Sequence, residues 1–261
     1  MDNTKIDWAD MTWNPVTGCR HGCPYCYARR TAERFSGYVS GGVKITFNPK
    51  EGPAVLDAPM TTMTSAGRFA AAPYPFGFEP TFHRYRLDDP VKKKRPRNIF
   101  VCSMADLFGT WVPTRWIVEV LDACQAAPQH NYLFLTKNPE RYMELDKLAL
   151  LPRSKNFWYG TTATEEGQPY FYSDFHNTFV SVEPMTGPIF PCENGLLVDW
   201  VIAGAETGPR PDKVKPERKW VEDLLASCRE EDVPLFMKGN LQDTWGAELI
   251  QELPAGLWRD K

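Results

Sequence analysis

The sequence predicts an α/β fold built on a parallel sheet, in the form of a partial or complete parallel (β/α) barrel. Short apolar runs typical of buried parallel strands recur along the chain, and stretches with helical spacing separate them. Polar residues follow the ends of these runs, which is where a barrel builds its active site. The chain has 261 residues, enough for one such domain, so we expect a single domain over residues 1–261.

The individual elements follow from these runs. The clearest predicted strands are 98–102, 132–135, 157–160, 178–182, 200–203 and 233–237, with 11–14 and 79–82 as less certain ones. Helices are predicted over 27–35, 113–121, 139–145 and 217–231. Because strands and helices alternate, the pattern favours βαβ units.

Residues 37–78 interrupt this alternation. The stretch is rich in Gly, Ser, Thr and Ala and follows the first predicted helix. A long segment of this kind inside a compact domain is typical of a functional lid. We therefore expect a long loop insertion after the first helix.

Bulk properties exclude several classes of protein. The net charge of −3 gives no global field for nucleic acid, so any contact with a polyanion must come from local basic patches. No apolar run approaches the ~20 residues that span a bilayer, and the first residues lack the apolar core of a signal peptide. The seven cysteines do not form a disulfide framework. A cytoplasmic protein with free thiols and no membrane partner is expected.

Three cysteines carry the strongest chemical signal. Cys19, Cys23 and Cys26 form a C-x3-C-x2-C array. Three thiolates can hold three corners of a [4Fe–4S] cluster and leave one iron open for a ligand. The alternative is a zinc site with His21 as the fourth ligand. Against it, His21 lies between two of the cysteines and no second Cys/His pair follows at finger spacing.

The cysteine array resembles the signature of the radical S-adenosylmethionine (SAM) superfamily. Further segments resemble a phage-associated branch long listed as of unknown function; they are 13–19, 100–108, 134–141, 179–184 and 199–209. The resemblance implies a barrel of the radical SAM type, with SAM bound at the open iron. It also implies a one-electron reductant and cleavage of SAM to a 5′-deoxyadenosyl radical. Tyr25, the aromatic residue before Cys26, would approach the adenine of SAM through its backbone.

Polar residues at strand ends complete the predicted site. Ser103, Asp106, Thr136 and Lys137 are expected to bind the polar ends of SAM, although the usual Gly-Gly-Glu form of the first pair is absent. The predicted set also contains Glu206 for cofactor binding, and Glu183 and Lys238 as catalytic residues. Each assignment has a structural alternative. Ser103 and Asp106 could cap a helix, and Lys137 could be a solvated surface lysine. The segment 204–208 around Glu206 could be a plain turn, and Lys238 could form a salt bridge.

The resemblance suggests a substrate class. Some phage members of the branch are implied to isomerise an amino-acid-bearing thymidine, so a modified nucleobase in phage DNA is the expected substrate and DNA the expected partner. Local basic groups at 92–97 and on the predicted helix 27–35 are candidate contacts for phosphates. Two alternatives remain open: a zinc-dependent nucleic-acid-binding protein, and a radical SAM-like partner protein without catalysis.

Overall fold

The computed structural model describes residues 1–40, 43–45, 54–189, 195–208 and 210–258. Its strands are β1 (Asp2–Asn3), β2 (Met11–Trp13), β3 (Val16–Thr17), β4 (Tyr38–Ser40), β5 (Val43–Ile45), β6 (Ala54–Leu56), β7 (Thr61–Met63), β8 (Phe69–Ala71), β9 (Thr81–His83), β10 (Asn98–Val101), β11 (Asn131–Thr136), β12 (Phe157–Thr162), β13 (Asn177–Val182), β14 (Val201–Ala203) and β15 (Leu235–Met237). Its helices are α1 (Tyr27–Arg34), α2 (Asp89–Lys92), α3 (Thr114–Gln125), α4 (Glu140–Lys147), α5 (Arg218–Glu230) and α6 (Gln242–Trp245).

A mostly parallel sheet of eight strands organises the chain. Its order is β1-β2-β10-β11-β12-β13-β14-β15, and only β1 runs antiparallel to its neighbour. The structure confirms the six clearest predicted strands and all four predicted helices, with small shifts of their ends. It also confirms the less certain strand at 11–14. Among the described residues the hydrogen-bonded order ends at β1 and β15, so the sheet is open.

The sheet is apolar on both faces, as expected for parallel strands covered on both sides. On one face, residues of β10, β11 and β12 pack with α3 and α4, and residues of β13, β14 and β15 pack with α5. The opposite face carries Phe100, Leu133, Trp158, Phe179 and Phe236, which form a third cluster. The alternation of side chains along each strand produces this division.

The N-terminal segment covers that third cluster. Trp8 packs among its rings, 4.7 Å from Phe100 and 6.2 Å from Phe179 between ring centroids. Asp7 accepts a hydrogen bond of 2.8 Å from the backbone N–H of Gly239, which follows β15. Asp7 follows β1 and Gly239 follows β15, and these are the two edge strands of the sheet. The bond therefore links the segments that follow the two edge strands.

The insertion differs from the predicted loop. Within 37–78, β4 pairs with β5 and β7 pairs with β8, while β6 pairs with β9 in a small sheet that also contains β3. The β7–β8 hairpin turns at Gly67, whose φ of +71° is a left-handed conformation that glycine adopts easily. The predicted strand at 79–82 is β9, and it belongs to the small sheet. Residues 41–42 and 46–53 of the insertion lie outside the described residues.

Candidate functional site

A cavity of about 280 Å³ lies at the carboxyl ends of the parallel strands. All of the predicted site residues line it: Cys19, Cys23, Tyr25, Cys26, Ser103, Asp106, Thr136, Lys137, Glu183, Glu206 and Lys238. The parallel topology is the reason, because it brings the carboxyl ends of successive strands to one edge of the sheet. Residues distant in the sequence therefore face one space.

Backbone contacts anchor the cysteine loop. The N–H of Gly18 donates to the carbonyl of Met104 (2.9 Å), and the N–H of Cys19 donates to that of Phe78 (3.1 Å). Gly18 has a φ of +88°, and a Cβ built on it would lie 2.2 Å from the carbonyl oxygen of Glu79. Only glycine fits so close an approach without movement of the backbone. Gly18 thus allows the cysteine loop to lie directly against the backbone of residues 78–79.

Cys26 caps the first helix. Its Sγ accepts a hydrogen bond of 3.3 Å from the N–H of Arg29 in the first turn of α1. The amino end of a helix favours a negative group, so this position suits a thiolate. Arg29 also donates to the carbonyl of Cys19 at 3.4 Å and lies 5.0 Å from the Phe78 ring centroid.

A lysine lies beside the cysteine loop. Lys137 Nζ lies 5.4 Å from the ring centroid of Tyr25, at the distance of a cation–π contact. Burial lowers the pKa of Lys137, while the neighbouring Cys23 and Asp106 act in the opposite direction. Burial also raises the pKa of the Cys19 thiol to about 12. A thiol of this kind is ionised when a metal binds it, because the metal supplies the compensating charge.

The carboxylate of Asp106 accepts several hydrogen bonds. The residue is 5% exposed, and its carboxylate accepts from the N–H groups of Phe108 and Lys137 (both 3.0 Å) and from the hydroxyl of Thr136 (2.8 Å). His21 Nε2 lies 2.6 Å from Asp106 Oδ2. An ionised carboxylate has about four acceptor positions, and these partners fill them. Asp106 therefore ties the cysteine loop to the end of β11.

This contact bears on the zinc alternative. Because Nε2 of His21 faces Asp106, only Nδ1 is left for a metal. The ring is also packed edge-on against Trp111, 4.8 Å between centroids. Among the described residues, no three His, Cys, Asp or Glu side chains converge on one ion position. A cubane cluster does not require such convergence, since each thiolate binds a different iron.

Two residues outside the predicted set shape the turn after β10. The side-chain oxygen of Asn14 accepts from the N–H of Met104 (2.9 Å) and from the hydroxyl of Ser103 (3.2 Å). The hydroxyl of Tyr27 donates to the carbonyl of Ser103 (2.9 Å), and Tyr27 also lines the cavity. Asn14 follows β2 directly, so the rule of polar residues at strand ends could have found it.

Glu183 and Lys238 form an ion pair at the ends of β13 and β15. The predicted catalytic residues thus contact each other, and the salt-bridge alternative for Lys238 holds as well. Gly204, at the end of the intervening β14, leaves room for them. A Cβ there would lie 3.0 Å from Lys238 Cδ and 3.2 Å from Glu183 Cδ.

Glu206 has a partner that sequence reasoning missed. Arg210 holds its carboxylate in a fork, with Nε–Oε1 and Nη2–Oε2 distances of 2.7 and 2.6 Å. This bidentate bond lowers the pKa of Glu206. Arg30 of α1 reaches the same loop, since a Cβ on Gly208 would lie 2.7 Å from its Nη2. Because Glu206 and Arg210 do not lie in a helix, their spacing of four residues gave no signal of this contact.

The site and the fold define an α/β protein with a thiol-rich cavity at the carboxyl edge of a parallel sheet. Residues 3–252 match a family described as a protein of unknown function (DUF5131), and the chain belongs to that family. Comparisons with curated proteins and with solved structures found no match. No helix among the described residues is long and apolar enough to cross a membrane.

Proposed function

We propose that this protein is a radical SAM enzyme that acts on a nucleobase, with a partial barrel of that superfamily as its fold. The observation that carries the proposal is the gathering of the three cysteines and all the predicted strand-end residues in one cavity. Three thiols spaced C-x3-C-x2-C suit a [4Fe–4S] cluster with one open iron. The N–H group of Arg29 gives Cys26 Sγ a hydrogen-bond donor.

Cys19, Cys23 and Cys26 would hold the cluster, and the cavity beside them would hold SAM. When bound, a reduced cluster and SAM supply a carbon radical able to take a hydrogen atom from an unactivated substrate carbon. The protein would position the substrate and exclude groups that quench a radical. An external one-electron reductant and a cytoplasmic location belong to the proposal.

The contacts refine the roles of the strand-end residues. Asp106 and Thr136 bond each other, so we assign them to positioning of the cysteine loop rather than to SAM itself. Lys137 has no carboxylate within ion-pair distance among the described residues, and it remains available for the carboxylate of SAM. Glu183 and Lys238 face the cavity together and would orient a polar substrate.

The rim of the cavity supports a nucleic-acid substrate. Arg30, Arg210 and Lys213 lie around the loop at Gly208; Lys213 Nζ donates to its carbonyl at 3.3 Å. Cationic side chains bind phosphates, so this loop beside the cavity suits a strand whose base enters the cavity.

The test is anaerobic purification with quantification of iron, sulfide and zinc. Reduction with dithionite in the presence of SAM follows, with 5′-deoxyadenosine measured by mass spectrometry. We expect about four irons per chain and deoxyadenosine formation, both lost in Cys23→Ala. Cys228→Ala, a buried thiol on α5 outside the cavity, is the matched control and should retain both.

The alternatives give different results. A zinc-dependent nucleic-acid-binding protein would be colourless, with stoichiometric zinc and no SAM cleavage. A non-catalytic partner protein would bind a cluster, or none, and would form no deoxyadenosine with any reductant. Either result would overturn the catalytic proposal.

A further inference from the structure

Two residues in the walls of the cavity each carry a buried polar atom without a hydrogen-bond partner among the described residues. The atoms are Oγ of Ser181 and Nε1 of Trp8, whose residues are 1% and 3% exposed. Both residues line the cavity. A buried polar group without a partner costs stability, and a bound ligand or an ordered water commonly explains it. Their occurrence together in one cavity points to a ligand.

Ser181 stands in a row of polar groups. It lies on β13 two residues before Glu183, so both side chains are on the same face of the sheet. In the neighbouring strand β12, Thr162 is its register partner, and Thr162 also lines the cavity. The two hydroxyls are thus side by side, one residue pair deeper than the ion pair of Glu183 with Lys238.

Trp8 limits the chemistry of the ligand. An indole N–H can only donate, so the ligand must present an acceptor. Ser181 and Thr162 can donate or accept, and Glu183 can only accept when ionised. Around them, Phe100 and Leu135 give the cavity apolar walls. These surroundings suit a compact, flat group with a carbonyl acceptor beside an N–H donor.

We propose that Trp8, Thr162 and Ser181, here called the polar floor, form a substrate subsite for an amide or imide edge of a planar ring. A ring carbonyl accepts from Trp8 Nε1, and the adjacent ring N–H donates to Ser181 Oγ. The inference rests on the proposed function, because the ring is the nucleobase on which the proposed enzyme acts. It adds a recognition role to residues deeper than the strand ends.

The first arm of the test measures stability without ligand. Removing a hydroxyl that has no partner should stabilise the full-length protein, so Ser181→Ala is expected to raise the urea midpoint of unfolding. Ser227→Ala is the matched control, because Ser227 Oγ donates to the carbonyl of Asp223 within α5 and this variant should not gain stability. A lower midpoint for Ser181→Ala would mean that the hydroxyl is already bonded, which would overturn the proposal.

The second arm measures binding of thymidine, whose ring carries an imide edge, by titration calorimetry on the full chain. Ser181→Ala and Trp8→Phe should each weaken binding about tenfold, the loss typical of one hydrogen bond. N3-methylthymidine, which lacks the ring N–H, should bind the wild type as weakly as thymidine binds Ser181→Ala. Equal binding of thymidine by all three proteins, or no binding by the wild type, would overturn the proposal.

The two proposals can fail separately. Neither arm requires SAM cleavage, so a protein that binds thymidine through the polar floor and forms no deoxyadenosine retains the subsite and loses the proposed activity. A protein that forms deoxyadenosine and ignores thymidine retains the activity and loses the subsite.

Discussion

Replacement of Asp106 tests whether this buried carboxylate holds the cysteine loop on the sheet. Asp106→Ala removes the acceptor for the N–H groups of Phe108 and Lys137 and for the hydroxyl of Thr136. It also frees His21 Nε2, which lies 2.6 Å from the carboxylate. The loop of Cys19 and its neighbours then loses its link to β11, while its backbone bonds near Gly18 remain.

The magnitude follows from the number and kind of these bonds. A hydrogen bond to a charged group contributes about 1.5–3 kcal/mol, and a buried donor left without a partner costs about 1–3 kcal/mol. The adjoining cavity lets water reach some of the freed donors, so the losses do not add fully. We expect Asp106→Ala, which removes several of these bonds, to lower the free energy of unfolding by about 3–5 kcal/mol. Asp106→Asn retains one acceptor oxygen and should lose about 1–3 kcal/mol.

The assay is urea unfolding of the full chain with thiols kept reduced, followed by fluorescence. Asp122→Asn, on the exposed side of α3, is the matched control and should change stability by less than about 0.5 kcal/mol. Bound iron after reconstitution gives a second measurement, which should fall in the order wild type, Asp106→Asn, Asp106→Ala. The reasoning is refuted if Asp106→Ala unfolds at the same urea concentration as Asp122→Asn.

Three further predictions concern backbone, charge and packing. Gly18→Ala should cost about 2–4 kcal/mol, because its Cβ would lie 2.2 Å from a backbone carbonyl oxygen at a φ of +88°; urea unfolding measures this. Arg210 lowers the pKa of Glu206, so this carboxyl stabilises the fold above its ordinary pKa of 4.5 and loses that effect as the pH falls through the lower folded value. Stability measured from pH 6 to about pH 2 should therefore fall less steeply in Glu206→Gln. Gly160→Ala should cost about 1–3 kcal/mol in thermal unfolding, since its Cβ would lie 2.2 Å from a phenylalanine ring carbon.

Two of these changes have a matched control, and the third has a contradicting outcome. Gly22 shares a left-handed φ of +71° but has open space around its Cβ, so Gly22→Ala should lose only about 1 kcal/mol. Equal losses at the two glycines would contradict the assigned clash at Gly18. The control for the pH series is Glu222→Gln, which removes an exposed ion pair with Arg218 within α5. If the pH dependence of stability is unchanged in Glu206→Gln, the stabilising role assigned to Glu206 is contradicted. If Gly160→Ala leaves thermal unfolding unchanged, the neighbouring phenylalanine ring moves aside freely and the predicted loss of stability is contradicted.

The strand and helix pattern was readable because parallel strands buried on both faces appear as continuous apolar runs. The runs at 98–102 and 178–182 gave β10 and β13 almost to the residue. The insertion was harder, because the short strands β7 and β8 are mostly exposed and lack such runs. Their pairing depends on the turn at Gly67 more than on burial.

The sequence by itself determined the three cysteines, their spacing and the polar residues that end the strands. These are local patterns, and the parallel topology that they imply already brings the strand ends together. The tertiary structure alone decided which of those residues contact each other: Asp106 with His21, 85 positions away, and Glu183 with Lys238, 55 positions away. It also decided that Ser181 and Trp8 line one cavity, each with a buried polar atom that has no partner in the described part of the chain. Hydrogen bonding and burial depend on the distances between side chains of remote segments, and those distances exist only once the chain has folded.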